Sequence, residues 1–562
     1  MSYNVGSLFA GVGGICLGFR RASENYRLIF ANEIDEDACI TYSINFNHNL
    51  IKGDIEKILN PKLFYIEKKF LLVRLRKLNE IYKFNLENYD KIFDQEFVDN
   101  CIKKLNTPAF INILMKGDFE LTPFICIKLK KFNYDFEQFK SYIEYRIILI
   151  KLDTEYNNLF LENEIQTYKH KREEILSQKI DILTAGFPCQ AFSIAGERKG
   201  FLDHRGELFY SVINLVKQLE EKGHGKPRVL FLENVKNLVS HDDGNTFKVI
   251  KSEIEKLGYI LKYKVLNTYK YTDLPQNRER IFVICFLNKE DAEAFGSLED
   301  LKEKSKSKIR LREALKNTLD YSITKRSNPD LYYTKEKYPK YFVKGEINLA
   351  EEITEMYEIY QLRRGMYVRK NQSGVCPTLT ANMGTGGHNV PLIKVNDGIR
   401  KLSPKDCFNL QGFRVGEEYI LPTISKSSLY KQAGNAVSVD VVKLIANKII
   451  NALTTVDSKY NKINETTEEH SINCSSNSKK EYKVRHRINY FKTKKYGYFI
   501  KRIFKDYTIK KSVLSESKKN CDEKSKLYKT LEEIQIMLNN GFSEEETNDL
   551  RKTIMTKLIE TL

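Results

Sequence analysis

A cysteine, a glutamate and two arginines stand where side chains of these types could act together on one substrate. Cys189 lies in GFPCQAFSIAG at 186–196, just past an apolar run and in a tight turn led by Pro188. A cysteine presented in such a loop at a sheet edge is placed as a nucleophile, although an isolated cysteine is as commonly a small buried hydrophobe. Glu233 closes the apolar run of FLENV at 231–235. Desolvation there would raise its pKa and suit it to donate a proton near neutral pH. The alternative is a strand-end carboxylate that caps the next helix. Arg278 and Arg280 alternate with Asn277 and Glu279 in PQNRER at 275–280, which turns both guanidinia to one side. There they could meet a phosphate, a carboxylate or a ring oxygen, or simply form a surface ion pair.

A second group of residues fits a nucleoside-containing cofactor. SLFAGVGG at 7–14 is a glycine-rich turn after a first strand, which lets backbone approach a ligand and aims a helix N-terminus at it. A tight strand–helix turn with no ligand would read the same. Glu33, about 20 residues further on at the end of a second strand, could accept hydrogen bonds from ribose hydroxyls. Asp54, at the end of a third, could address an adenine amino group; both could equally be ordinary surface acids.

These residues need a scaffold that brings strand ends together. Residues 3–55 and 181–287 both alternate short apolar runs with helical patterns: VGSLFA, YRLIFANEID, LIKGDI, DILTAGFP, RVLFLENV, ILKYKVLN and RIFVICFL read as strands. That rhythm predicts an α/β fold, a doubly wound, mostly parallel sheet covered on both faces. It is one domain cut in two: 1–55 and 181–295, with a C-terminal part at 396–454 that ends in the helix SVDVVKLIANKIINAL. The cut, 56–180, is rich in Phe and Tyr and predicts a mainly helical insertion outside the sheet. Residues 296–395 are irregular and predict a smaller second domain. From 455 to 562 a polar, linker-like stretch leads to a basic, helical extension.

The length, 562 residues, suggests three or four domains at roughly 150 residues each. No stretch reaches the roughly 18 consecutive apolar residues of a membrane helix, and the N-terminus reads as a first strand, so a cytoplasmic protein without a membrane partner is expected. The ten cysteines are scattered, which excludes CxxC zinc pairs and argues against a disulfide framework. No metal is expected. The net charge of +18 favours a polyanionic partner, nucleic acid above all. Residues 479–511 are its densest part, with Tyr490, Phe491, Tyr496, Tyr498 and Phe499 among the lysines. They suit nonspecific DNA contact or a solvated charged helix.

In this order, FAGVGG, GFPCQ, ENV, QNRER, RKLSPKDCFNLQGF (400–413) and QAGNAVSVDVV (432–442) resemble the signature blocks of the DNA (cytosine-5) methyltransferase family. The blocks cover about 1–55, 181–287 and 396–450, with a variable region where the family keeps its target-recognition domain. The resemblance implies S-adenosylmethionine as cofactor and double-stranded DNA as partner. It also implies a catalytic sheet of the S-adenosylmethionine-dependent type and, by analogy with the bacterial and phage enzymes, the protective methylase of a restriction-modification system. The enzyme would act as a monomer on DNA, with a cognate restriction endonuclease as its functional counterpart.

Carried over residue by residue, Cys189 is the nucleophile that adds to carbon 6 of a flipped-out cytosine, and Glu233 serves ring nitrogen 3. Arg278 supports the ring oxygen or the nucleophile, and Arg280 orients. The cofactor residues are Phe9, Gly11, Gly13, Gly14, Glu33, Asp54, Ile55, Pro188, Leu208 and Asn435. Two positions depart from the family pattern: Ile34, where many members have an aromatic beside the adenine, and Ala436, where many have Ser. Gln190, Ser193 and Arg198 in the loop after the cysteine, with Thr378 and Thr380, are the expected DNA contacts. VCPTLTANMGTGGHNVPLI at 375–393 resembles the recognition core of members that read short GC-centred sites of the GCNGC kind. A tRNA-methylating branch and a catalytically silent DNA-binding relative share the fold. GFPCQ and the long recognition region point away from the first, and the intact set Cys189, Glu233, Arg278 and Asn435 away from the second.

Overall fold

In the computed structural model, residues 2–82, 94–105, 123–131, 135–187, 204–304, 307–344, 347–363, 365–383 and 390–471 are described. The chain divides into two units. One comprises Met1–Leu71 and Tyr82–His470; the other comprises Leu72–Ile81, helical throughout, and Ser471–Leu562, of which only Ser471 is described.

The first unit is built on a seven-stranded sheet: β1 (Tyr3–Leu8), β2 (Tyr26–Glu33), β3 (Asn49–Lys52), β4 (Ile182–Ala185), β5 (Val229–Val235), β6 (Ile260–Asn267) and β7 (Glu279–Phe286). The strand order is β3-β2-β1-β4-β5-β7-β6. Neighbours from β3 to β5 pair in parallel, and β7 alone runs antiparallel to both its neighbours. The interior strands are apolar on both faces, as strands covered by helices on each side must be, and β4 (ILTA) is buried at every position. Edge strand β6 carries Lys262 and Lys264 instead, which discourages pairing with another chain. The order turns back between β1 and β4, and such a switch point opens a crevice at the carboxyl ends of the strands.

The stretch between β3 and β4 does not sit wholly outside this sheet. Ile55, Ile58 and Leu59 at its start, and Ile175, Leu176 and Ile180 at its end, are buried in one cluster with Leu183 and Leu230. The segment therefore enters and leaves through the core.

A second, five-stranded antiparallel sheet runs β10-β9-β11-β12-β8: β8 (Tyr332–Tyr333), β9 (Tyr360–Arg363), β10 (Tyr367–Lys370), β11 (Leu392–Val395) and β12 (Gly398–Lys401). It takes in β12, past the expected boundary at 395, because β11 and β12 form one hairpin closed at Val395 and Gly398. The hairpin is tied to the following helix, Pro404–Leu410, by a fully buried ion pair, Arg400 to Asp406 at 2.7 Å. Asp406 also completes a capping box with Ser403.

The final described helix, Val439–Ser471, runs straight through the stretch expected to be a linker. That stretch is polar, but no Gly or Pro interrupts 439–471, so nothing stops the helix.

Candidate active site

The carboxyl ends of β1, β2, β4 and β5 and the turn after β3 converge on a cavity of about 1250 Å³. A single small-molecule site is typically about 300–1,000 Å³, so there is room for two ligands side by side.

One wall is the glycine-rich turn after β1. Phe9 and Gly11 both have φ 55°, the left-handed region that is costly for Phe and free for Gly. A Cβ on Gly11 would meet nothing within 4 Å, which leaves its backbone open to a ligand. Gly13 behaves differently. It does not line the cavity; at φ 82° it caps the helix Gly14–Ala22, and a Cβ there would stand 2.2 Å from the Phe46 ring. Its expected part in the cradle is thus played from behind.

Glu33, at the end of β2, holds this turn. Its carboxylate accepts from Gly11 N at 2.7 Å, Ile34 N at 2.8 Å and Asp35 N at 2.9 Å. Burial pushes the carboxyl up, and these amide donors pull it back. A carboxylate has about four acceptor sites, so one remains for a ligand hydroxyl. Asp54 caps the helix Ile55–Leu59 by accepting from Glu56 N at 2.9 Å, and it also faces the cavity. Phe9, Gly14, Ile55, Leu208 and Asn435 line the cavity with them, as does the exposed Ile34 beside Glu33. A nucleoside-bearing group fits this donor set: carboxylates at two strand ends, an open glycine backbone and an apolar side chain between.

The other wall carries Glu233 and Arg280. Arg280 Nε stands 3.3 Å from Glu233 Oε1. Burial pushes the Glu233 carboxyl up, and the charges of Arg280 and Arg278 draw it back. Gly186, where the chain leaves β4, lies so close that a Cβ would be 3.5 Å from Glu233 Oε2. Asn234 fixes that exit by donating to the Phe187 carbonyl at 3.2 Å. Pro188, Cys189, Gln190, Ser193 and Arg198 follow directly and lie outside the described residues, as does the basic stretch 479–511.

Arg278 lines the same cavity but is 1 % exposed and faces carbonyls rather than Glu233. It donates to Leu379 O at 3.0 Å, Gly434 O at 3.1 Å and Ala436 O at 2.6 Å. The strand begins at Glu279, so strict alternation does not yet hold at Arg278. The guanidinium thereby joins two segments at the cavity: the loop before Thr380 and the turn carrying Asn435. They touch directly, since a Cβ on Gly434 would fall 2.2 Å from the Thr380 carbonyl carbon. Thr378 donates to Asn277 O at 2.6 Å, and Thr380 to Asn382 Oδ1 at 2.5 Å; both line the cavity rim.

Several lining residues escaped sequence reasoning. Gln361 and Arg363 of β9 overhang the cavity, and Lys431 pairs with Asp35 at 2.6 Å across its mouth. The alternating pattern of YQLR could have flagged the strand. Nothing local signals Asp35–Lys431, a contact across 396 positions. Among the described residues no group of three His, Cys, Asp or Glu could hold a metal ion, and no helix is long and apolar enough to cross a membrane.

The chain is 47% identical over 276 residues to the Type II methyltransferase M.Bsp6I of Bacillus sp. (strain RFL6), spanning 49% of this chain and 79% of that protein. It is 36% identical over 281 residues to the Type II methyltransferase M.HhaI of Haemophilus parahaemolyticus, spanning 49% and 76%. M.HaeII of Haemophilus aegyptius, also a Type II methyltransferase, is 35% identical over 277 residues, spanning 49% and 74%. The family model for C-5 cytosine-specific DNA methylases matches residues 3–72 and 151–451, leaving 73–150 and the end of the chain as this protein's additions. With the cavity at the strand ends and six sequence blocks in register, the match spans most of the chain, which belongs to the C-5 cytosine-specific DNA methylase family.

Proposed function

We propose that this DNA cytosine methylase modifies carbon 5 of a flipped-out cytosine through a covalent Cys189 adduct, as the protective half of a Type II restriction-modification system. The observation that carries the reading is the juxtaposition, in one cavity, of the Glu233–Arg280 pair with the Glu33-braced glycine turn. The likeness to the Type II methyltransferases M.Bsp6I and M.HhaI supports the restriction-modification part. The enzyme would act as a monomer on DNA, in the cytoplasm, with a cognate endonuclease as its functional counterpart.

Carbon 5 of cytosine is too weakly nucleophilic to take a methyl group directly. The base must first leave the stack, at a cost of about a few kcal/mol. Cys189 then adds to carbon 6, which makes carbon 5 an enamine-like nucleophile. Glu233, whose carboxyl burial pushes up against the pull of Arg280 and Arg278, hydrogen-bonds ring nitrogen 3 and takes up the charge that develops there. Arg280 fixes Glu233 and would reach the ring oxygen, while Arg278 positions the segments around the base. S-adenosylmethionine supplies an electrophilic methyl group. Glu33, Asp54, the backbone at Gly11 and Asn435 would hold its nucleoside half, and Ile34, Ile55, Leu208 and Phe9 its apolar surroundings. Loss of the carbon 5 proton to a base and breakage of the sulfur–carbon bond then restore Cys189. Gln190, Ser193, Arg198, Thr378 and Thr380 are the proposed DNA contacts.

Duplex oligonucleotides carrying 5-fluorocytosine test this reading, because fluorine blocks the final elimination. Wild-type protein with S-adenosylmethionine should stay covalently attached, Cys189→Ser should not, and varying the flanking bases would read out the site. An adduct on tRNA but on no duplex, or tight DNA binding with no adduct on either, would overturn it.

A further inference from the structure

The helix Asn158–Leu176, which closes the long stretch between β3 and β4, lies along edge strand β3 and the turn that follows it. Three contacts run in register along it. Glu174 accepts from Asn49 Nδ2 at the start of β3. Lys171 Nζ donates to Lys52 O at 2.7 Å at its end. One turn further back along the helix, the Tyr168 hydroxyl meets the turn itself: a Cβ on Gly53 would lie 2.8 Å from it.

This turn carries a glycine in a backbone conformation rare for other residues, next to the carboxylate at issue. Gly53 has φ 131°, open to glycine and rarely to other residues. Asp54 follows immediately and faces the cavity. Within the turn, Gly53 N donates to Glu33 O at 2.9 Å, and Asn32 Nδ2 donates to Gly53 O at 3.0 Å. Those bonds tie it to β2 on one side; Tyr168 and Lys171 close the other side. The two side chains are themselves fixed. Lys171 Nζ sits 4.6 Å from the Tyr168 ring centroid, and that ring packs edge-on against Phe64 at 4.9 Å. A group that holds a backbone turn from outside acts on the ligand only through that turn.

We infer that Tyr168 and Lys171 are positioning residues for the cofactor: they clamp the Gly53–Asp54 turn so that Asp54 meets the nucleoside of S-adenosylmethionine. Through these two residues the long segment between β3 and β4 acts on methyl transfer by way of cofactor affinity. The inference rests on the proposed role of Asp54, and the test separates the two.

Steady-state kinetics of the full-length protein on its methylatable duplex would compare Tyr168→Phe, Lys171→Met and Asp54→Ala, alongside equilibrium binding of S-adenosylhomocysteine. Tyr168→Phe keeps the ring against Phe64 and removes only the hydroxyl. The expected result in either variant is a KM for S-adenosylmethionine raised about three- to ten-fold, the size of the one hydrogen bond that Lys171 gives to Lys52 O. A matching loss of S-adenosylhomocysteine affinity should accompany it, with kcat and the KM for DNA unchanged. Asp54→Ala should show the same signature, more strongly. If Asp54→Ala weakens the cofactor and Tyr168→Phe and Lys171→Met do not, the clamp is overturned and the cofactor reading stands. If Asp54→Ala leaves the cofactor untouched, both fall. A drop in kcat and thermal stability without a change in cofactor affinity would make Tyr168 merely structural and also overturn the inference.

Discussion

Arg278 and Arg280 are separated by one residue and face different partners: Arg280 Nε stands 3.3 Å from the Glu233 carboxylate, while Arg278 donates to three backbone carbonyls, the shortest bond reaching Ala436 O at 2.6 Å. The first is an ion pair on the cavity wall. The second is a staple between the loop before Thr380 and the turn that carries Asn435.

The staple predicts an unequal pair of variants. Arg278→Ala leaves the carbonyls of Leu379, Gly434 and Ala436 without their charged donor, and should cost about 3–5 kcal/mol in urea unfolding. Arg278→Lys keeps the charge but loses the planar fork, so it should fall in between. If Arg278→Lys unfolded at the wild-type urea concentration yet lost most of kcat, Arg278 would be reaching the substrate instead.

Glu233 predicts a change in the shape of the pH profile. Its folded pKa lies above the ordinary glutamate value because burial outweighs the pull of Arg280 and Arg278. The protonated form that serves nitrogen 3 is therefore lost as pH rises through that raised pKa, while the Cys189 thiolate is gained as pH rises. The wild-type kcat/KM should be bell-shaped. Glu233→Gln should lose the descending limb and keep the ascending one, with kcat lower by about 10²–10⁴ at the optimum. A descending limb that survives in Glu233→Gln would place the acid elsewhere.

What was legible in the sequence follows from locality. Strands such as RVLFLENV and the turn FAGVGG are specified by residues adjacent in the chain, and the places of Glu33, Asp54 and Glu233 at or just past strand ends were legible because strand ends are local features. The function of Arg278 was not legible, because its partners Leu379, Gly434 and Ala436 lie 101 to 158 positions away. The helix through 457–471 was hidden for another reason: a polar composition reads as linker, although without Gly or Pro it continues a helix begun by an apolar face.

Gly434 predicts a steric effect on the same junction. A Cβ there would sit 2.2 Å from the carbonyl carbon and 2.3 Å from the carbonyl oxygen of Thr380, backbone that cannot swing aside like a side chain. Gly434→Ala should destabilise by about 1–3 kcal/mol and displace Thr378–Thr380 from the rim. Single-turnover methylation at saturating cofactor should slow at least ten-fold. A wild-type rate would mean that this contact does not set the position of the base.

His48 predicts how acid reaches the cofactor turn. Its Nε2 lies 2.6 Å from the Tyr42 hydroxyl, which also touches Cys16 Sγ at 3.1 Å, and Tyr42 and Phe46 form the wall behind Gly13. Burial, with the nearby Arg20 charge, pulls the imidazole down to about 4, so the folded protein holds it neutral. The unfolded chain takes up a proton near the ordinary histidine value of about 6.5. This contribution to stability is therefore complete above that value and is lost as pH falls from there toward about 4. Because the ring is only partly buried, the loss should be modest, about 1–2 kcal/mol. His48→Gln keeps a polar partner for Tyr42 and removes the titration. Urea unfolding at pH 7 and pH 4.5 should then show a smaller acid loss in the variant by that amount, and S-adenosylhomocysteine affinity should weaken less on acidification. Equal losses in both proteins would assign the acid sensitivity to other groups.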